Sequence, residues 1–183
     1  AGLTSADEGF RLNEPVRVGA ALFADHNPAP GETALTQALA ASSNVAMVRL
    51  AQRLGPERLS QGFERFGLGE RGGLEAPEMQ QPPKLAVKDA ETLAVMSFGH
   101  GFSASLAAMA GAYTVFVNDG ARVRPTFLKV EPGDPVRRTP VVSAQTSRIV
   151  LGMMREVVLS GTGRRAAVPG LAIAGKTGTA EKW

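Results

Sequence analysis

Three sets of residues in this sequence have the types and spacing to do chemistry. Gly170-Leu171-Ala172-Ile173-Ala174-Gly175-Lys176-Thr177 satisfies G-x-x-x-x-G-K-[ST], the loop whose amides cradle nucleotide phosphates. Gly67-Leu68-Gly69-Glu70-Arg71-Gly72 satisfies G-x-G-x-x-G, whose glycines turn a backbone tightly under a pyrophosphate. The third set is split between Ser42-Ser43-Asn44 and, about 130 residues later, Lys176-Thr177-Gly178-Thr179. An acyl transfer needs a nucleophile, a proton relay, and donors that hold the carbonyl and carboxylate of the substrate. Serine, lysine and threonine can share the relay and the donors, and a strand can add donors by pairing with an extended peptide.

Context separates the three. A phosphate loop leaves a strand and enters a helix whose N-terminus faces the phosphates. Here the four interior residues, Leu171-Ala172-Ile173-Ala174, themselves have strand character, Pro169 precedes the motif, and Gly178 is a poor helix opener. No acidic strand to hold magnesium follows before Trp183, so a P-loop nucleotide hydrolase is the weaker alternative. The G-x-G-x-x-G match leaves an amphipathic helix and enters Leu74-Glu75-Ala76-Pro77, which reads as a glycine-rich surface loop. Taken singly, Ser-Ser-Asn is usually a cap and Lys-Thr-Gly a turn. As a pair they supply two of the three elements S-x-x-K, S-x-N and K-T-G of the serine acyl-transferases that react with penicillin.

The elements that must position these groups are mostly helical. Phe10 to Leu12 and Val16 to Phe23, separated by Asn13-Glu14-Pro15, suggest a small hairpin. Thr33 is the N-cap candidate for a helix through Leu35, Ala38 and Leu39 that stops at Ser42-Ser43-Asn44. Val45, Val48, Leu50, Ala51 and Leu54 cover one face of a second helix, which Gly55-Pro56 ends, and Glu57 to Phe66 forms a third. After a Gly-, Pro- and Glu-rich loop from Gly67 to Pro83, Asp89 to Met96 reads as a short helix and Ser105 to Asn118 as a long buried one. Ser143 caps a helix carrying Ile149, Val150, Met153, Met154, Val157 and Val158, and Leu171 to Ala174 is expected to be a strand leading into Lys176.

Composition bounds the partners. A chain of 183 residues, 44% hydrophobic, can bury a core. Twenty Lys and Arg against 17 Asp and Glu leave a net charge of +3, and the basic pairs Arg137-Arg138 and Arg164-Arg165 lack interleaved aromatics, so nucleic acid is not an expected partner. There is no cysteine, and His26 and His100 have no companions at metal-ligand spacing, so no metal or cofactor is expected. The uncharged stretch Thr92 to Asn118 is interrupted by Gly99, His100, Gly101 and Gly111 and reads as buried helices rather than a membrane span. No signal-like run follows Ala1, so any anchor is expected outside this sequence.

Longer matches extend the pair of motifs. Leu39-Ala-Ala-Ser-Ser-Asn-Val-Ala-Met, Arg65-Phe-Gly-Leu-Gly, Met96-Ser-Phe-Gly-His-Gly, and Gly161-Thr-Gly-Arg-Arg-Ala-Ala-Val-Pro-Gly through Ala172-Ile-Ala-Gly-Lys-Thr-Gly-Thr-Ala occur in one order. In these the chain resembles the class B penicillin-binding proteins, specifically the division-specific peptidoglycan D,D-transpeptidases, essentially end to end. The resemblance implies an α/β (α+β) fold of the penicillin-binding protein and serine β-lactamase type. Residues 1–183 would be a partial transpeptidase domain, mainly its helical lobe plus the strand of Lys176-Thr177-Gly178.

Carried onto this sequence, the resemblance implies that Ser42 belongs to the proton relay and that Asn44 bonds the amide of the acyl side chain. Lys176 would place charge beside Ser42, and the hydroxyls of Thr177 and Thr179 would receive the substrate carboxylate. The Thr179 N–H would form half of an oxyanion hole, and Gly178 would let the substrate approach where a side chain would block it. If so, the Ser42 hydroxyl and Lys176 ammonium should lie within about 4 Å. The implied partners are peptidoglycan stem peptides, β-lactam antibiotics and divisome membrane proteins. The implied location is the cytoplasmic membrane, with the domain on its outer, periplasmic face.

Two departures qualify this. None of the lysines at 84, 88, 129, 176 and 182 has a serine three positions earlier, so S-x-x-K is absent from these residues, as are the strands expected after Lys176-Thr177-Gly178. The residues alone are therefore expected to be inactive, and a non-catalytic substrate-binding or interaction module is the other alternative. Ser105-Leu106 also stands where the family usually shows Thr-Pro.

Overall fold

The computed structural model describes residues 2–69, 74–75 and 85–178. The chain divides into two compact units, Ala1–Leu59 with Val87–Gly101 and Ile149–Trp183, and Ser60–Ala86 with Phe102–Arg148. Its first strands are β1 (Gly9–Arg11), β2 (Val16–Val18), β3 (Ala21–Phe23) and β4 (Glu32–Ala34). β1 pairs antiparallel with β4, and β2 with β3. The hairpin therefore lies inside the Val16 to Phe23 run, rather than between it and Phe10 to Leu12. Gly19 supplies the left-handed φ of 58° that the two-residue loop Gly19-Ala20 uses. The Glu91 carboxylate accepts the Ala20 N–H at 2.9 Å and fixes that turn.

Helix α1 (Leu35–Ala40) follows β4 directly. Thr33 is not its N-cap, because the ladder with Phe10 holds Thr33 inside β4. The first N–H groups of α1 are satisfied from outside instead: Leu35 donates to the Glu8 carbonyl and Thr36 to the Ala6 carbonyl. Helix α2 (Asn44–Leu54) follows, and Pro56 opens α3 (Pro56–Phe66), where its missing N–H costs no helix bond. α4 (Ala90–Met96) is capped by Asp89, whose carboxylate accepts the Thr92 N–H at 2.7 Å.

Two apolar clusters hold the first unit. Phe10, Leu12, Leu35, Ala38, Ala46 and Met153 form one, and Val18, Val48 and Ala94, with Phe23 and Phe98 packed against them, form the other. α2 contributes to both, through Ala46 and Val48, so the start of this helix is anchored from two sides. Burying a side chain such as Val48 contributes about 1.5–3 kcal/mol.

In the second unit, α5 (Leu106–Val117) leads into β5 (Ala121–Val123), which pairs antiparallel with β6 (Arg138–Pro140). Ser105 caps α5 by accepting the Ala108 N–H at 3.1 Å. The helix is uncharged but buried on one face only: Ala108, Gly111, Ala112 and Val115 are inside, whereas Leu106 is 90% and Val117 70% exposed. The first residues of α6 (Ala144–Leu159) also lie here, where the Ser143 hydroxyl accepts the Thr146 N–H; from Ile149 on the helix belongs to the first unit, with Met153, Met154, Val157 and Val158 buried. No helix among the described residues is long and apolar enough to cross a membrane.

Residues 171–178 are not a strand. A strand needs a neighbour to share its ladder, and here the Gly175 N–H goes to the Met154 carbonyl of α6 at 3.2 Å. The expected Lys-Thr-Gly strand is thus an irregular segment laid against a helix.

Candidate active site

Ser42 stands at a helix end that would ordinarily favour glycine. α1 closes with the Ser42 N–H donating to the Leu39 carbonyl at 3.1 Å and the Ser43 N–H to the Ala38 carbonyl at 2.9 Å. This is the bond pattern of a Schellman cap, whose C′ residue must be left-handed, and Ser42 has φ 61°. Among the described residues the other non-glycine with positive φ is Asp119, a residue type that tolerates this region better than serine does. The left-handed turn places the Ser42 hydroxyl at the surface between α1 and α2.

The next three residues are held by a group that the sequence does not single out. Asp25, two residues past β3, accepts the Ser43 hydroxyl proton on Oδ2 at 2.5 Å. Its Oδ1 accepts the N–H groups of Asn44 at 2.7 Å and Val45 at 3.1 Å. Ser43, 3% exposed, is the N-cap of α2 and accepts the Ala46 N–H at 3.0 Å. A carboxylate at a helix start meets unpaired donors and the positive end of the dipole, so Asp25 and Ser43 together satisfy the first turn of α2. Ser43 is structural. Asn44 opens the helix, half-buried, two residues from Ser42.

Lys176 arrives from the far end of the sequence. Its Nζ donates to the Ser42 hydroxyl oxygen at 2.8 Å, to the Thr177 carbonyl at 3.0 Å and to the Thr177 hydroxyl oxygen at 3.2 Å. Two ties bring it there. The Gly175 N–H bonds to α6, and the turn after α6 bonds to α1 through the Thr162 N–H and the Ala40 carbonyl at 3.0 Å. Gly161 permits that contact: a Cβ there would sit 2.3 Å from the Ala40 carbonyl oxygen, so no other residue fits without moving backbone. Partial burial holds the Lys176 ammonium below the usual lysine value of 10.5, since desolvation disfavours the charged form. That makes the proton on Lys176 easier to release toward Ser42.

Of the residues singled out in the sequence, Ser42, Lys176 and Thr177 thus meet within hydrogen-bonding distance, with Asn44 beginning the adjacent helix. Gly178 is exposed, and a Cβ added to it would meet no other atom within 4 Å, so nothing in the described chain requires glycine there. Thr179 lies outside the described residues. Asp25 carries no local motif, and Thr162, although inside the Gly161-Thr-Gly stretch, was assigned no role: both act through contacts distant in sequence.

The nucleotide readings do not survive the geometry. Gly170 to Thr177 leaves no strand, and the Lys176 ammonium is engaged by Ser42 and Thr177. Gly67-Leu68-Gly69 follows α3 rather than a strand, and Glu70 to Gly72 lie outside the described residues. No group of three His, Asp or Glu that could hold a metal occurs among the described residues.

The described fold, small antiparallel sheets with a helical lobe that brings a serine hydroxyl to a lysine, is the α/β fold of the penicillin-recognising transpeptidases. A crystal structure described as a peptidoglycan glycosyltransferase from Burkholderia ambifaria superposes with a TM-score of 0.90 at 28% identity, over 97% of this chain and 57% of that one. Penicillin-binding protein 3 of Mycobacterium tuberculosis, solved with aztreonam, superposes with a TM-score of 0.83 at 36% identity, over 99% of this chain and 44% of that one. The probable peptidoglycan D,D-transpeptidase FtsI of Caulobacter vibrioides is 36% identical over 186 residues, covering 100% of this chain and 31% of the relative. The profile for the penicillin binding protein transpeptidase domain matches residues 1–183. The chain belongs to the penicillin-binding protein transpeptidase family, and it spans less than a third of the length of the Caulobacter relative.

Proposed function

We propose that this chain supplies the proton-relay wall and part of the carboxylate-binding wall of a serine-type peptidoglycan D,D-transpeptidase. Such an enzyme crosslinks cell-wall stem peptides and is acylated by β-lactams. The observation that carries this is the 2.8 Å contact between Ser42 and Lys176, residues 134 apart in sequence. A chance turn gives no reason for them to meet, whereas proton transfer to a leaving group requires it.

In this reading a serine of the S-x-x-K element, which residues 1–183 do not contain, attacks the peptide carbonyl. The Ser42 hydroxyl passes a proton to the departing amine and is resupplied through Lys176, whose lowered affinity for the proton suits it to the exchange. Asn44 holds the amide of the acyl side chain. Thr177 and Thr179 take the terminal carboxylate, and the open space before Gly178 admits the peptide backbone. The Thr179 N–H contributes to the oxyanion hole. The whole protein works on the outer face of the cytoplasmic membrane with division proteins as partners, a reading supported by its likeness to the Caulobacter FtsI relative.

A fluorescent penicillin tests this. The full-length protein is expected to take a stoichiometric, heat-stable label, and residues 1–183 alone none. Loss of a nucleophile from such a site costs about six orders of magnitude in turnover. A covalent label on residues 1–183, or no label on the full-length protein, would refute the assignment.

A further inference from the structure

The turn after α6 brings a second threonine to the lysine. The Thr162 hydroxyl lies 2.8 Å from the Thr177 hydroxyl, in a geometry where either oxygen can be the donor. The turn is fixed on both sides. The Thr162 N–H donates to the Ala40 carbonyl, two residues before Ser42, and the Gly163 N–H donates to the Val157 carbonyl at 2.9 Å. The close approach of Gly161 to Ala40 leaves the turn little room to shift. Thr162 is exposed and takes part in neither apolar cluster, so core packing does not account for its side chain.

Counting protons gives the pair a direction. A lysine ammonium has three N–H donors, and all three point at chain atoms here: Ser42 Oγ, the Thr177 carbonyl and Thr177 Oγ1. In this arrangement a carboxylate must find its short-range donor among the hydroxyls. Thr177 Oγ1 has one proton and two lone pairs, and one lone pair already faces Lys176. If Thr177 donated to Thr162, its only proton would be spent inside the chain. If Thr162 donates instead, both Thr177 lone pairs are filled and its proton must point away from both partners, into the open. An arriving carboxylate only accepts, so it selects the second arrangement.

We propose that Thr162 is a positioning residue: by donating its hydroxyl proton to Thr177, it turns the Thr177 proton toward the carboxylate of the substrate. This rests on the transpeptidase reading for the identity of the anion. The pairing itself rests on the geometry alone.

The test compares acylation of the full-length protein by benzylpenicillin, which carries a carboxylate, and by its methyl ester, which carries no anion. Thr162→Val is expected to slow acylation by the acid about tenfold, the worth of one hydrogen bond to a charged group, and to leave the rate with the ester nearly unchanged. Thr162→Ser, which keeps the hydroxyl, is expected to restore the rate with the acid. Equal losses with acid and ester, or a serine variant as slow as the valine one, would show a merely structural role and overturn the proposal. If neither compound acylates the wild-type protein, the transpeptidase reading fails, and the pairing is judged separately by NMR on residues 1–183. There Thr162→Val should shift the Thr177 side-chain and Lys176 Nζ signals while Thr162→Ser leaves them in place. Unchanged Thr177 signals in the valine variant would overturn the pairing.

Discussion

Replacing Ser42 by glycine should separate stability from function in one position. Ser42 is left-handed at φ 61°, which costs an L-residue roughly 1–2 kcal/mol. Glycine removes that strain but gives back roughly 0.4–1 kcal/mol through the extra freedom of its unfolded chain. Alanine keeps the strain. Both substitutions delete the bond from Lys176, so that loss cancels between them. The glycine variant should therefore be more stable than the alanine variant by about 1 kcal/mol, about 2–4 °C in melting temperature for a chain of this size. Against wild type, alanine should lose about 0.5–1.5 kcal/mol with the bond and glycine should be close to neutral. Urea midpoints at unchanged slope measure this globally, and exchange of the Ser43 N–H, which closes α1 on Ala38, reads it locally. Penicillin acylation of the full-length protein should fall by about two to four orders of magnitude in both variants, since both lose the relay hydroxyl. A glycine variant no more stable than the alanine one would refute the strain argument, and one that acylates normally would refute the relay.

Two further outcomes follow from the same site. Asp25→Ala leaves the Ser43 hydroxyl and the Asn44 and Val45 N–H groups without their shared acceptor, and should destabilise by roughly 3 kcal/mol, with Asp25→Asn losing about half of that, read by urea unfolding. Lys176 holds its proton less tightly in the folded chain than in the unfolded one, so the unfolded chain carries more protons between the two values. Stability should accordingly rise with pH as it passes the folded value and level off above 10.5. The Lys176→Met variant should lack that rise, and a ¹³C titration of Lys176 with a midpoint at or above 10.5 would contradict the premise.

What could be read in advance was whatever the sequence states locally. Asp89, Ser105 and Ser143 announce helix starts because a cap acts on an N–H only two or three residues away. Ser42 and Lys176 were legible as a pair because acyl transfer demands those residue types, even across 134 positions. Thr33 looked like a cap but was claimed by the ladder with Phe10, and Leu171 to Ala174 looked like a strand but form no ladder, the segment being tied to α6 through the Gly175 N–H. In both cases a long-range partner overrode the local preference. Asp25 has no local signature, and Thr162, although inside the Gly161-Thr-Gly stretch, shows no role of its own: a lone aspartate before His26-Asn27-Pro28 and a threonine between glycines look like turn residues until the fold delivers Ser43 and Thr177 to them.

The departure at Ser42 bears most directly on function. Glycine or asparagine at the end of α1 would give the same cap with less strain, so packing and capping give no reason for serine. The chain keeps serine and surrounds it with compensation: Asp25 and Ser43 satisfy the start of α2 on one side, and Gly161 lets the α6 turn bond to Ala40 on the other. What the serine adds over glycine is one hydroxyl, and that hydroxyl receives the Lys176 ammonium. Local strain retained at a position where an easier residue would fold as well, and aimed at a partly buried lysine, is the pattern expected when a side chain is kept for its chemistry. In the proposed relay the left-handed turn would then matter as well as the hydroxyl: at a right-handed φ the Ser42 oxygen would leave the line to Lys176, although the sequence of both motifs would be unchanged.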